Sequence, residues 1–133
     1  MRRCNINFEL LIAALEKIEA NKFHMKYVSI IGSRVVRLDS LDVEMFKEFG
    51  KTACPVGWYK VLINPNLNSG KISDEFNETF HFTNFFFYAG GLLKSKHGVI
   101  HKITLDSNTT LNTWLDAAKA WLDGGEILNQ NNY

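Results

Sequence analysis

The chain has 133 residues, which corresponds to one domain of ordinary size. Fifteen Lys and Arg residues against fourteen Asp and Glu residues give a net charge of +1. This balance argues against a dedicated nucleic-acid binder, because such proteins carry a clear basic excess. Hydrophobic residues make up 46% of the chain, enough to build a core rather than a disordered polymer.

The cysteine content and the N-terminal segment predict a cytoplasmic protein. Cys4 and Cys54 are too few for a disulfide framework. The stretch after Met1 contains Asn and Glu residues, so it lacks the apolar core of a signal peptide. No run reaches the roughly 18 apolar residues that a membrane span needs. We therefore expect reduced thiols and no membrane partner.

Residues 7–20 form the first predicted helix. Their apolar residues recur at helical spacing: Phe8, Leu11, Ile12, Leu15 and Ile18. Asn5 or Asn7 is the expected N-cap, and Asn21 the expected stop.

Residues 24–38 read as a β-hairpin around Gly32-Ser33. Glycine in the first position of a two-residue loop favours a type II′ turn. This turn places Ile30 opposite Val35, and we expect Val28, Ile30 and Val35 to face the core.

The middle of the chain predicts a helix over residues 40–49, with Ser40 as cap and its apolar face formed by Leu41, Met45 and Phe49. Residues 58–63 and 78–88 are rich in aromatic and β-branched residues, which favour strands. A loop over residues 64–74 joins these two strands. The second strand has apolar residues on both faces, so Phe80, Phe82 and Phe86 are expected in the core.

The last third predicts a bulge or bend at Gly90-Gly91, a basic hairpin tip at residues 94–98 and a return strand over residues 99–105. Residues 108–123 have the apolar stripe of a third helix, with Leu115 and Trp121 in the core. Residues 126–133 are polar and are expected to form a flexible C-terminal tail.

These elements predict an α+β domain over residues 1–125, with an antiparallel sheet of about five strands and the order α-β-β-α-β-β-β-α. The order resembles that of the roadblock and profilin-like group of small folds. The resemblance implies a single antiparallel sheet with helices on its faces.

The candidates for catalysis or ligand binding are His81, His101 and Cys54. Histidine titrates near neutral pH, and a cysteine thiolate is a nucleophile when its pKa is lowered. Cys54 comes after the predicted end of a helix, where the dipole would not help to ionise it. No Cys or His spacing typical of zinc is present, so we expect no metal and no cofactor.

A basic hairpin offers a second alternative. The basic residues of this hairpin are Lys94, Lys96, His97, His101 and Lys102. They lie close in sequence to Phe85, Phe87 and Tyr88, and cations beside exposed rings are typical of single-strand nucleic-acid binders. Aromatic residues of a central strand lie more often in the core, so a nucleic-acid partner is the less favoured interpretation.

We expect from the sequence a non-catalytic protein-binding module, that is, a small regulator or inhibitor of the mobile-element or immunity type. Its partner is another protein, with a homodimer as the alternative. The candidate contact residues are aromatic or basic: Arg34, Trp58, Tyr59, Lys94 and Lys96. The competing interpretations place Trp58 and Tyr59 in the core, or assign the chain an enzyme or ligand pocket using His81, His101 or Cys54.

Overall fold

The computed structural model of the protein describes residues 2–106 and 108–131. Six α-helices lie in these residues: α1 Ile6–Leu15, α2 Val43–Phe49, α3 Pro55–Leu62, α4 Ile72–Phe76, α5 Phe80–Thr83 and α6 Leu111–Leu122. The strands are β1 Ser29–Ile31, β2 Arg34–Val36, β3 Gly50–Ala53, β4 Gly91–Lys94, β5 Ile100–Ile103 and β6 Glu126–Gln130. No helix within these residues has the length and apolar character needed to cross a bilayer.

The strands form two separate three-stranded antiparallel sheets. The first has the order β2-β1-β3 and the second the order β5-β4-β6. The predicted α+β class is therefore confirmed. The single sheet of about five strands and the predicted element order are wrong, because two of the expected strands are helices.

The start of α1 is held by asparagine side chains. The Asn5 side chain accepts a hydrogen bond from the Phe8 N–H at 3.1 Å, as a capping residue does. The amide groups of Asn5 and Asn7 donate to the carbonyls of Phe76 and Glu75, at 2.7 and 2.6 Å. These carbonyls belong to the last turn of α4, where no partner within the helix is available. The predicted helix is confirmed, but it ends at Leu15 and not at Ala20.

The first hairpin has the predicted register and the opposite face in the core. Ile30 lies opposite Val35 across the turn at Gly32, whose φ is +59°. Ile31 and Val36 are buried, whereas Val35 is 66% exposed. Residues one apart in a strand point to opposite faces, so a single wrong choice of face misplaces every side chain of the pair.

The second helix begins later than predicted. Residues Leu38–Ser40 form a separate 3₁₀ turn, and Asp42, not Ser40, accepts the capping hydrogen bond from the Met45 N–H. Phe46 is the buried residue of α2, and its ring lies 5.2 Å from that of Trp58. Met45 and Phe49 are partly exposed, so the predicted face of this helix is wrong.

Residues 58–63 belong mostly to α3 and not to a strand. Pro55 occupies the first turn, where its missing N–H costs nothing and its fixed φ suits a helix. The aromatic and β-branched residues that favour a strand are buried on nearly all sides of this helix. Tertiary burial has therefore outweighed local propensity.

The second predicted strand, residues 78–88, is also helical. The Thr79 side chain caps α5, and the chain continues as one π-helical turn over Asn84–Tyr88. A helix that is apolar on all sides is suited to the interior of a protein. Phe82 and Phe86 are buried as predicted, but Phe80 is 65% exposed.

The C-terminal third follows the prediction up to residue 125. Strands β4 and β5 form the hairpin around residues 95–99, and α6 lies within the predicted helix. Residues Glu126–Gln130 form β6, which pairs with β4, where a flexible tail was expected. The end of the expected tail, residues 132–133, lies outside the described residues.

The core is organised around Phe8 of α1. Its ring centroid lies between 4.8 and 6.4 Å from six other rings, most of them edge-on. The six rings belong to Phe76, Phe82, Phe86, Phe87, Trp114 and Trp121. Edge-to-face aromatic pairs contribute about 0.5–1.5 kcal/mol each beyond their buried area.

Replacing Phe82 by alanine should lower the free energy of unfolding by about 3–5 kcal/mol, as for other buried aromatic residues. Phe80→Ala is the matched control in the same short helix. Its ring is 65% exposed, so its replacement should change stability by about 0.5 kcal/mol or less. Urea unfolding of the two variants measures the difference, and equal losses would contradict the helical placement of this segment.

Candidate functional site

The three candidate catalytic residues are not brought together. Cys54 is the buried N-cap residue of α3, His81 is exposed on α5, and His101 is half-buried on β5. The His81 ring contacts the side chain of Gln130. None of the five described surface clefts is lined by two of the three residues.

Cys54 lies at the start of a helix and not after one, which corrects its predicted position. The backbone N–H groups of Val56 and Gly57 point towards its sulfur and favour the thiolate. Burial has the larger effect and raises the pKa of the Cys54 thiol to about 11. The thiol is therefore protonated and inert near neutral pH.

Two of the five predicted contact residues are interior. The Trp58 indole N–H donates to the Lys22 carbonyl at 2.9 Å, and the Tyr59 hydroxyl donates to Glu75 Oε2 at 2.6 Å. Burial and the hydrogen bond to Glu75 both raise the pKa of Tyr59. Trp58 and Tyr59 thus have the core placement that the sequence left open.

The other three predicted contact residues are on the surface. Arg34 is exposed beside the first hairpin turn, and Lys94 is exposed at the end of β4. Lys96 Nζ lies 3.0 Å from Asp123 Oδ2, so part of its charge is balanced within the chain. Their contribution to binding stays a prediction.

Two of the three rings expected beside the basic hairpin are not accessible for stacking. Phe85 and Phe87 are fully buried, so neither ring can stack on a base. Tyr88 is half-buried, and the exposed residues of the hairpin include Lys94, Lys96, His97, Val99 and Ile100.

The side of α1 that faces away from the core is apolar. Ile6 is 71% exposed and Leu10, one turn later on the same side, is 48% exposed. Ala13 is also exposed and continues the row by another turn. We call these three residues the α1 outer face. In the sequence, the helical spacing of Ile6 and Leu10 already indicates an apolar outer side, which is separate from the predicted inner stripe of this helix.

Two carboxylates beside the α1 outer face form ion pairs. Glu9 forms an ion pair with Arg2 at 2.8 Å, and Glu16 forms one with Lys119 at 3.1 Å. Both carboxylates lie on the flank towards the N-terminus and α6 and not in the row itself. Lys17, four residues after Ala13, is exposed as well. The face is therefore a short apolar strip with a charged border, and protein interfaces likewise have an apolar centre and a polar rim.

A second feature is a cleft of about 550 Å³ at the end of the first sheet, which we call the His24 cleft. The other four described clefts hold only about 320–380 Å³. Three separate segments form its walls, and its lining residues are Ala20, Asn21, Phe23, His24, Lys26, Ile30, Thr52, Asp106, Thr109 and Thr110. Residues this far apart in sequence gave no local motif.

The His24 ring is locked in one tautomer. Nε2 lies 2.6 Å from the Val28 carbonyl, which only accepts, so Nε2 carries the hydrogen. Nδ1 then accepts from the Thr52 hydroxyl at 2.7 Å. Burial lowers the pKa of His24 below its ordinary value, and the nearby Lys26 charge adds to this effect. The ring is neutral at neutral pH.

The comparisons with protein families, curated proteins and solved structures give no match for this chain. In the part of the chain that the structure describes, no three His, Cys, Asp or Glu side chains converge in a way that could hold a metal ion.

A thiol reagent should distinguish the two cysteines. At pH 8, iodoacetamide should modify Cys4, which is exposed, and leave Cys54 unmodified in the folded protein. Mass spectrometry of the intact chain should show one added group, and two after unfolding in urea. Rapid modification of Cys54 in the native state would restore the enzyme interpretation.

The lowered pKa of His24 predicts acid sensitivity. Below the ordinary histidine pKa of 6.5, the unfolded chain binds a proton at this position before the folded chain does. Stability therefore falls as the pH drops from about 7 towards 5. In His24→Gln, the loss of stability that this histidine causes should disappear. Urea midpoints measured between about pH 7 and pH 5 would show this. His97→Gln, at an exposed hairpin position, is the control and should keep the wild-type slope.

Proposed function

We propose that this chain is a non-catalytic protein-binding module and that the α1 outer face is its docking surface. The observation that carries the proposal is the exposure of Ile6 and Leu10 on a helix whose opposite side forms the centre of the core. The structure does not bring His81, His101 and Cys54 together, and this favours binding over catalysis.

The physical argument concerns the distribution of apolar residues around α1. A helix on a protein surface usually has a polar outer side, and one that is apolar all round is usually covered. Covering the outer face would remove apolar area from water, at about 25 cal/mol for each Å². Ile6 and Leu10 are the side chains whose exposed apolar area would be covered most by such a contact.

The partner we infer is an amphipathic helix of a second protein. Ile6 and Leu10 form a ridge at i and i+4, and Ala13 leaves a shallow groove beside it, which suits ridge-into-groove helix packing. The α1 helix has 10 residues and is about 15 Å long. A contact of this length is smaller than a standard interface, so transient binding suits a regulator or inhibitor better than a permanent subunit.

Placing a charge in the middle of the α1 outer face should abolish binding. In Leu10→Glu the carboxylate would be desolvated by the partner, so affinity should fall at least about tenfold. Leu128→Glu is the matched control, because Leu128 is 50% exposed and Leu10 48%. Both variants should keep wild-type stability within about 0.5 kcal/mol.

The measurement compares proteins captured by the wild type and the two variants from cells of the source organism, followed by titration of the purified partner. A partner lost with Leu10→Glu and retained with Leu128→Glu supports the proposal. Equal loss or equal retention contradicts the assignment of the α1 outer face.

Self-association is a separate outcome of the same experiment. Sedimentation velocity from about 10 to 500 μM should show a monomer, because we assign the face to a second protein. A dimer that Leu10→Glu dissociates would replace the second protein by a second copy of this chain.

A separate test concerns the basic contact residues that the sequence predicted. Alanine at Arg34, Lys94 and Lys96 tests the surface of the two hairpins, which is distinct from the α1 outer face. If these substitutions weaken binding and Leu10→Glu does not, the hairpins are the docking surface and the helix is not.

A further inference from the structure

We propose that the His24 cleft is a ligand site of its own, independent of the α1 outer face, and that it binds a compact apolar molecule carrying a protonated amine. The proposal rests on the cleft's size, its apolar floor and the one carboxylate in its lining.

The cleft has the dimensions and rigidity of a small-molecule site. Its volume of about 550 Å³ lies within the roughly 300–1,000 Å³ typical of ligand pockets. Backbone contacts join two of its walls: the His24 N–H donates to the Ala53 carbonyl at 3.3 Å, and Phe23 pairs with Ala53 as a parallel bridge. A pocket that is formed before binding costs the ligand little ordering of the protein.

The apolar floor is formed by Phe23 and by Ile30 on the outward side of the first sheet. The His24 ring lies beside them with both nitrogens already bonded inside the protein. It therefore offers its ring surface and not a hydrogen bond. A neutral ring also does not repel a cation.

Asp106 is the group that selects an amine. Its carboxylate accepts hydrogen bonds from the Thr104 hydroxyl at 2.6 Å and the Asn108 N–H at 2.8 Å. These bonds lower the pKa of Asp106, so the group is ionised at neutral pH. The Asn108 side-chain amide also donates to Oδ2, at 3.5 Å. A carboxylate has about four acceptor positions, so these three bonds leave one for a donor from the ligand.

Two features of the cleft favour an anion instead. Lys26 lines the cleft, and α6 begins at Thr110 with the positive end of its dipole. Lys26 is exposed and can remain in water. The Thr110 hydroxyl already accepts from the Thr113 N–H at 3.2 Å, so the first turn of α6 is partly satisfied. The Lys102 charge also acts on Asp106. We assign the selectivity to Asp106 because hydrogen bonds fix its carboxylate in the lining of the cleft.

The test uses three probes that share a benzyl group and differ in charge: benzylamine, benzyl alcohol and phenylacetate. Each is titrated into ¹⁵N-labelled protein at pH 7, and amide shifts are followed. Benzylamine should shift amides of the cleft, including those of Phe23, Thr52 and Thr109, and should bind more tightly than the other two probes. Tighter binding of phenylacetate, equal binding of benzyl alcohol, or no cleft shifts with any probe overturns the proposal.

Asp106→Asn separates ligand binding from the structural role of this residue. The asparagine oxygen can still accept from Thr104 and Asn108, but the charge is gone. Benzylamine affinity should fall about tenfold, the scale of one charge-assisted hydrogen bond. Asp116→Asn, at an exposed position of α6, is the matched control and should bind as the wild type does. Equal affinity in the two variants overturns the role of Asp106.

Leu10→Glu keeps this test separate from the proposed protein binding. It should bind benzylamine with wild-type affinity, since its substitution lies on the α1 outer face. Loss of benzylamine binding in Leu10→Glu would show that the two surfaces are one site and overturn their independence.

Discussion

Burial of the Phe8 ring among six other aromatic rings is the constraint on which the rest of the structure depends. The rings come from α4, from the helical segment between Thr79 and Tyr88, and from α6. The Phe8 side chain of α1 therefore packs against all three of these parts of the chain. Because the inner side of α1 is held in this way, Ile6 and Leu10 must point to solvent, and the candidate docking surface is a consequence of the core.

Burial also decides which reactive groups can take part in chemistry. Cys54 has the helix-start position that usually favours a thiolate, yet desolvation raises its pKa to about 11. Tyr59 is likewise held protonated, inside the protein and bonded to Glu75. Cys54 and Tyr59 therefore take part in packing and internal hydrogen bonds, whereas Cys4 and His81 are exposed. What the surface offers is an apolar helix face and a cleft with one ionised carboxylate.

The residues that line the His24 cleft also have structural roles within their own elements. His24 and Thr52 satisfy one another at the end of the first sheet. Asp106 organises the turn before α6. Only their packing places an apolar floor, a neutral ring and a carboxylate around one space. The two proposed surfaces lie on different elements, so binding at one need not disturb the other.

Local chemistry in the sequence determined the features that depend on a few neighbouring residues. These include the Asn5 cap, the Gly32 turn with its register, the hairpin around residues 95–99 and the apolar stripe of α6. Tertiary structure decided whether residues 55–62 and 80–88 are helix or strand. A segment with apolar residues on every side can be buried as either, so its periodicity does not distinguish the two. Tertiary structure also decided the core face of the first hairpin, because alternation alone does not say which side is covered. The same distinction applies to the two candidate sites. The exposed apolar positions of α1 could be found in the sequence. His24 and Asp106 line one cleft only after folding, because no local interaction links segments so distant along the chain.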